Sequence, residues 1–129
     1  MLAAVGAGGA LGSLARYEIA LAVPTSPGGF PWATWLVNVS GALALGVLAT
    51  LVVERWPPTR YVRAFAGVGV CGGYTTWSTF LVDTALLTRD RHVVVAVAYV
   101  AATMTAGLAA AVAGVWLARL WATDRRQKR

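Results

Sequence analysis

Apolar residues fill four long stretches of this chain, and short polar or proline-containing segments separate them. The stretches cover residues 2–23, 32–53, 61–87 and 93–121. Each is close to or above the roughly 20 residues that a helix needs to cross the hydrocarbon of a bilayer. The first separator, Pro24 to Pro31, carries no charge, and Trp32 and Trp35 just after it read as interfacial anchors. The second contains Glu54, Arg55, Pro57, Pro58 and Arg60, and the third is Arg89, Asp90, Arg91 and His92. His92 lies among charges there and reads as a solvated loop residue. The pattern predicts an all-α integral membrane protein, a single four-span domain over residues 1–129 with a basic tail at 122–129.

The third stretch contains the most unusual run, GVGVCGGYTTWSTFLVD from Gly67 to Asp83. An interior glycine costs a helix about 1 kcal/mol relative to alanine. Glycines at 67, 69, 72 and 73 therefore predict that the third span is broken at mid-membrane, over Gly72 to Thr75, with a new helix starting at Thr76. Non-helical backbone at that depth is tolerated only where it is buried in protein or lines a polar cavity. The carbonyl end of the first half suits a cation and the amide end of the second suits an anion. No residue from 64 to 82 is charged, so a site there binds ions through dipoles. Thr75 and Thr79 are four apart and Trp77 and Phe80 three apart, so on a helix each pair shares a face. Ring edges are electropositive and can meet an anion, ring faces suit cations, and from spacing alone ordinary helix packing is the favoured explanation of the aromatic pair. In the second stretch Asn38 needs a partner inside an apolar segment, either as an interhelical hydrogen bond or as a pore-lining group. Gly8 and Gly12 in the first form a GxxxG pair that permits close helix approach, and Arg16 and Glu18 stand near its end.

Composition supports the membrane reading. Of 129 residues 58% are hydrophobic and 12% charged, with a mean hydropathy of +0.65; soluble domains are about a quarter charged. The first stretch lacks a basic leader and reads as a retained span and not a cleaved signal peptide. The single Cys71 allows no internal disulfide. No phosphate loop, Cys/His metal spacing or nucleophile–base–acid set is present, so an enzyme is not expected. The net charge of +6 sits mainly at span ends, which points to orientation in a lipid bilayer and away from nucleic acid. With four spans, Arg55, Arg60, Arg63, Arg119, Arg125, Arg126, Lys128 and Arg129 fall on the side of both termini, against Arg89 and Arg91 on the other, with Arg16 left uncounted as a residue placed within the membrane. Cytoplasmic termini follow. Such a bias favours one orientation, and so predicts pairing with a different subunit inserted the opposite way; because much of the bias lies in the tail, a homodimer stays open.

Three motifs, GGALGSLARY (8–17), WLVNVSGALALG (35–46) and CGGYTTWSTF (71–80), resemble the Fluc/CrcB family of small fluoride channels, and the match spans the chain. The third motif is the most specific. The resemblance implies an antiparallel, dual-topology dimer of four-helix subunits in the cell's inner membrane, exporting cytoplasmic fluoride through two pores. It also implies a structural sodium ion at the dimer centre, held by backbone carbonyls that fall on Gly72 and Thr75. By position the pore aromatic pair is Trp77 and Phe80, the pore asparagine Asn38, the hydroxyl track Ser78 and Thr79, and the vestibule arginine Arg16. Position 77 departs from the pattern, since the family usually has phenylalanine there and an indole adds an N–H donor. Two other readings stand beside this one. A small four-helix proton-coupled exporter would use Glu18 as its exchanging acid. A non-conducting partner subunit of a heterodimeric channel would tolerate apolar replacement of Asn38, Ser78 and Phe80.

Overall fold

The computed structural model describes residues 1–54 and 60–127, with side chains for residues 1–53 and 60–121, and all its regular elements are helical. They are α1 (Leu2–Ala22), α2 (Trp32–Glu54), α3 (Arg60–Val62), a π-helical segment (Arg63–Cys71), α4 (Gly72–Tyr74), α5 (Trp77–Arg89) and α6 (Val93–Gln127). Two stretches, Trp32–Val53 and Val93–Trp121, are by themselves long and apolar enough to cross a membrane. The third apolar stretch is divided among shorter pieces, and α1 carries Arg16 and Glu18 within its 21 residues. Large apolar side chains cover the outside of the molecule: Val94 is 83% exposed and Leu108 70%. That distribution matches a chain whose surroundings are lipid. Helix α6 continues past residue 121 to Gln127, so the basic tail begins as helix. Arg55, Lys128 and Arg129 lie outside the described residues, as do the side chains of Arg125 and Arg126, and the charge comparison that uses them rests on sequence.

Glycines set the packing. Where α2 crosses α6, Gly46 faces the Ala111 carbonyl and Gly114 faces that of Leu43. Where α1 lies along the π-helical segment and α4, Gly8 meets Phe65 O and Gly69, Gly12 meets Val70 O and Gly73, and Gly73 in turn meets Gly9 O. A Cβ at any of these positions would overlap main-chain atoms. Close backbone approach through small residues is how helices associate where the solvent is as apolar as the side chains.

This packing corrects the sequence expectation about the glycine run. Gly69, Gly72 and Gly73 are all in helical turns, and Gly72 has φ −67° and ψ −34°. The two extended residues are Thr75 (φ −73°, ψ 155°) and Thr76 (φ −144°, ψ 117°). Intrinsic propensity is a weak prior that tertiary context overrides; three of the four glycines, Gly69, Gly73 and the half-buried Gly67, face a neighbour, and the helix stops after them. Because Thr75 precedes α5, it does not share a helical face with Thr79.

At the end of the molecule holding residues 23–31 and 90–92, Phe80, Leu87, Ala96 and Tyr99 form a buried cluster, with Phe30 and Trp35 packed against it. Helix α5 ends in a Schellman arrangement: Arg91 N–H donates to Thr88 O (3.2 Å), His92 N–H donates to Leu87 O (2.8 Å), and Arg91 takes φ 65°. His92 is an exposed loop residue, as expected, yet its ring is seated on Gly28, whose φ of 70° and lack of a Cβ make the contact possible.

Gly12→Val should lower the thermal midpoint of the purified protein by several degrees, matching the roughly 1–3 kcal/mol of overpacking. Gly6→Ala, which meets nothing within 4 Å, should leave it unchanged or raise it. Equal midpoints for the two variants would contradict the close approach of α1.

Candidate functional site

Thr76 is the junction on which the site is built. Its backbone N–H donates to Asn38 Oδ1 (2.8 Å) and its carbonyl accepts from Asn38 Nδ2 (3.0 Å). One side-chain amide of α2 thus satisfies both peptide groups of an extended residue. Thr76 is also the N-cap of α5: Thr79 N–H donates to its Oγ1 (3.1 Å), the N3 contact that Ser and Thr caps supply. The same hydroxyl donates to Thr79 Oγ1 (2.9 Å) and lies 3.3 Å from Ser78 Oγ. Thr75 looks backward, with its N–H and Oγ1 both donating to Cys71 O at 2.9 Å. From α1, Ser13 Oγ donates to Gly73 O and Arg16 to Thr75 O, both at 3.4 Å. From α2, Ser40 Oγ and Tyr74 Oη are 2.8 Å apart.

Two cavities meet at this junction. One, about 370 Å³, is lined by Asn38, Thr75, Thr76, Trp77, Phe80 and Thr103 among others. The other, about 360 Å³, is lined by Ser13, Arg16, Tyr17, Thr34, Thr76 and Thr79 among others. The structure therefore brings Asn38, Trp77 and Phe80 together, and sets Arg16 with Thr79 on the opposite side of Thr76. Ser78 is exposed and touches the site through Thr76. The Trp77 and Phe80 rings are 5.2 Å apart and tilted by 38°; Phe80 is 3% exposed and Trp77 63%. Glu18 is exposed on α1. The polar groups facing the first cavity are uncharged, so it offers an ion hydroxyls, amides and ring edges with no fixed countercharge.

A second polar group was not singled out from the sequence. Asp83 Oδ2 accepts from Thr34 Oγ1 (2.8 Å) and from Tyr99 Oη (3.3 Å). Tyr99 is fully buried and its ring lies 5.2 Å from that of Phe80. The signal was present in the spacing: Thr34 is four residues before Asn38 and Asp83 three after Phe80, so each continues the face of a residue already in the site. Asp83 entered the sequence reading only as the last residue of the glycine-rich run within the third stretch.

The backbone oxygens named for a cation have the right chemistry. The Thr76 N–H that a continued helix would send to Gly72 O goes to Asn38, so that carbonyl is released from the helical pattern. Thr75 O has the Arg16 guanidinium at 3.4 Å. Carbonyl oxygens suit a hard cation, but a full shell takes about six or more of them, so two from one chain need others from outside it. Among the described residues no group of three His, Cys, Asp or Glu side chains could hold a metal.

Residues 3–115 match the family model described as CrcB-like protein, Camphor Resistance (CrcB). The chain belongs to the CrcB family. Curated relatives include the fluoride-specific ion channel FluC 2 of Nocardia farcinica, 48% identical over 128 residues that cover 99% of this chain and 91% of that protein. The fluoride-specific ion channel FluC of Chlorobaculum tepidum is 44% identical over 117 residues, 91% of this chain and 93% of its own length. The protein of the same name from Rhodospirillum centenum is 45% identical over 120 residues, with 92% and 95% covered. The CrcB match takes in α1 to α5 and most of α6, including the whole Thr76 junction.

In this CrcB chain, Thr76→Val keeps the side-chain shape but removes the cap oxygen and should cost about 1 kcal/mol. Thermal unfolding in detergent should show a loss of a few degrees for Thr76→Val and little for Thr76→Ser. A valine variant as stable as the parent would contradict the capping role.

Proposed function

We propose that this chain is a subunit of a fluoride-selective channel that exports cytoplasmic fluoride from an antiparallel dimer in the cell's inner membrane. The observation that carries the reading is the Asn38–Thr76 junction, which holds uncharged donors open to cavities on both of its sides. The names of its relatives point the same way. In this reading residues 1–129 are one four-span membrane domain, with the third span interrupted at membrane depth and the termini in the cytoplasm.

Fluoride is small and strongly hydrated, so it crosses only if donors replace its water in stages without forming a deep trap. Arg16 supplies one positive charge beside the second cavity and raises anion concentration there, while its contact with Thr75 O holds the guanidinium against the junction. Thr79 and Ser78 offer hydroxyls at the start of α5. A primary amide carries two N–H donors; one of those on Asn38 is spent on Thr76 O, and the other is available to an anion in the first cavity. The edge of Phe80 continues the path, with Trp77 tilted against it and adding an indole N–H where phenylalanine is usual. Gly72 and Thr75 carbonyls from both copies would hold a sodium ion at the dimer centre, where it supplies structural charge neutralisation for backbone released from helix. The excess of cations on the terminal side favours a single orientation, so we assign the chain a different, oppositely inserted family subunit as its partner.

Liposomes containing the chain, alone or with such a partner, should release fluoride and retain chloride. Phe80→Ile should reduce fluoride throughput about tenfold or more with the dimer intact, because a centrally placed permeation contact is worth at least the ~1.4 kcal/mol that corresponds to a factor of ten. Absence of selective fluoride release in both formats would refute the channel reading, and full throughput in the isoleucine variant would remove the aromatic pair from it. A purified, functional dimer holding two antiparallel copies of this chain would refute the heterodimer.

A further inference from the structure

Away from the Thr76 junction, a groove of about 430 Å³ lies between α2 and the first half of the third span. Its α2 wall is Leu45, Leu48, Ala49, Val52 and Val53, which recur at i, i+3, i+4, i+7 and i+8 and so form one face of that helix. The opposite wall is Val68, Gly67 and Arg63. Val53 is 73% exposed and Val68 64%, so the groove is open along its side. Its floor lies at Gly67, where a Cβ would meet nothing closer than Leu48 Cδ2 at 3.9 Å. Main-chain atoms fill the space at Gly12 and Gly46, whereas Gly67 leaves its space open. From Val53 to Leu45 the groove extends about 12 Å by helical rise, less than half of the roughly 30 Å of hydrocarbon. It therefore stays within one leaflet, the one on the side of both termini.

One charge stands in this apolar wall. Arg63 is exposed and, among the described residues, has neither an ion pair nor a hydrogen bond. Arg60, three residues earlier, lies instead over the Tyr61 ring at 5.4 Å. Val53 and Arg63 flank residues 54–60 in the chain, so the charge is at the surface end of the groove. A partner helix laid there would have to bury the guanidinium or supply an acid of its own within the hydrocarbon, and either is costly. A phospholipid avoids that cost. Its acyl chain covers the apolar wall while its phosphate stays at the membrane surface, where a flexible arginine stem can reach it and the planar guanidinium fork matches phosphate oxygens. A zwitterionic headgroup already carries a cation beside its phosphate, so a lone unpaired guanidinium favours a net negative one.

Resting on the four-span reading but not on conduction, we propose that this groove is the docking site of one anionic phospholipid from the leaflet on the terminal side. One acyl chain lies along the α2 face over Gly67, and the headgroup phosphate pairs with Arg63. The lipid fills the gap between α2 and the third span, and a ligand that binds the folded chain stabilises it.

Lipid titration of the full chain, purified in neutral detergent and stripped of native lipid, tests this through the thermal midpoint and the lipid retained in native mass spectrometry. Phosphatidylglycerol should raise the midpoint by several degrees and be retained as a single molecule per chain; phosphatidylcholine of the same chain length should do neither. Arg63→Gln should weaken phosphatidylglycerol binding about fivefold, the scale of one basic side chain at an anionic surface, while Arg60→Gln keeps the parent affinity. Gly67→Leu puts a side chain into the groove and should abolish retention with Arg63 still present. The comparison of Arg63 with Arg60 decides the matter even where the leucine variant does not fold. Equal retention of the two lipids, equal losses in the two glutamine variants, or parent retention by a folded Gly67→Leu chain would overturn the site. Loss of the oligomer in Gly67→Leu with lipid retention unchanged would overturn it too, by making the groove a subunit interface. A midpoint shift with glycerol phosphate, which has the headgroup without the chains, would replace the lipid by free phosphate. None of these readouts uses fluoride, so a chain that holds the lipid and conducts nothing would refute the channel reading alone. A chain that stays soluble without detergent would refute the four spans and this inference with them.

Discussion

The pairing of Asn38 with both peptide groups of Thr76 is the interaction on which the other features depend. A peptide N–H or C=O removed from water without a partner costs several kcal/mol, and an apolar solvent offers no substitute. An extended residue between two helical segments presents both groups at once. Asn38 answers them with one amide, at 2.8 and 3.0 Å. The consequences reach in three directions: Gly72 O loses its helical donor, Thr76 Oγ1 is free to cap α5, and the start of α5 is tied to α2 at the point where the two cavities meet.

Glycine has a supporting part in that geometry. By letting α1 come into backbone contact with the π-helical segment and α4, it brings Ser13 and Arg16 within reach of Gly73 O and Thr75 O. The junction is therefore held from α1 and α2 together, with one neutral amide on one side and a hydroxyl and a guanidinium on the other. The two cavities that meet there are thus lined by uncharged polar groups, with the Arg16 guanidinium in the wall of one of them. It is the arrangement expected where an anion must be attracted but not captured.

Much of the architecture was legible in the sequence because hydropathy reports solvent directly. The apolar stretches beginning at residues 2, 32 and 93 became helices starting at Leu2, Trp32 and Val93. The glycine run drew attention to the right segment for an incorrect reason: Gly69 and Gly73 accommodate α1, and it is Thr75 and Thr76 that leave the helix. Which residue is extended depends on a partner 38 positions away, which no local propensity encodes. Trp77 and Phe80 were legible as a pair because both lie on one regular helix. Thr75 and Thr79 were not a pair, because the helix begins between them. Asp83 was missed since an acid late in the third stretch shows no partner until Thr34 and Tyr99 are placed beside it.

Amide hydrogen exchange at Thr76 tests the account most directly. In the parent chain this N–H should be protected to a degree comparable with helical amides of α2, although the residue is extended and has no backbone partner for it. In Asn38→Val it should exchange at least about tenfold faster, the factor that loss of a buried hydrogen bond implies, while amides such as Gly69 on the α1-facing side keep their parent rates. A Thr76 amide that is unprotected in the parent, or equally protected in Asn38→Val, would contradict the claim that Asn38 holds the junction.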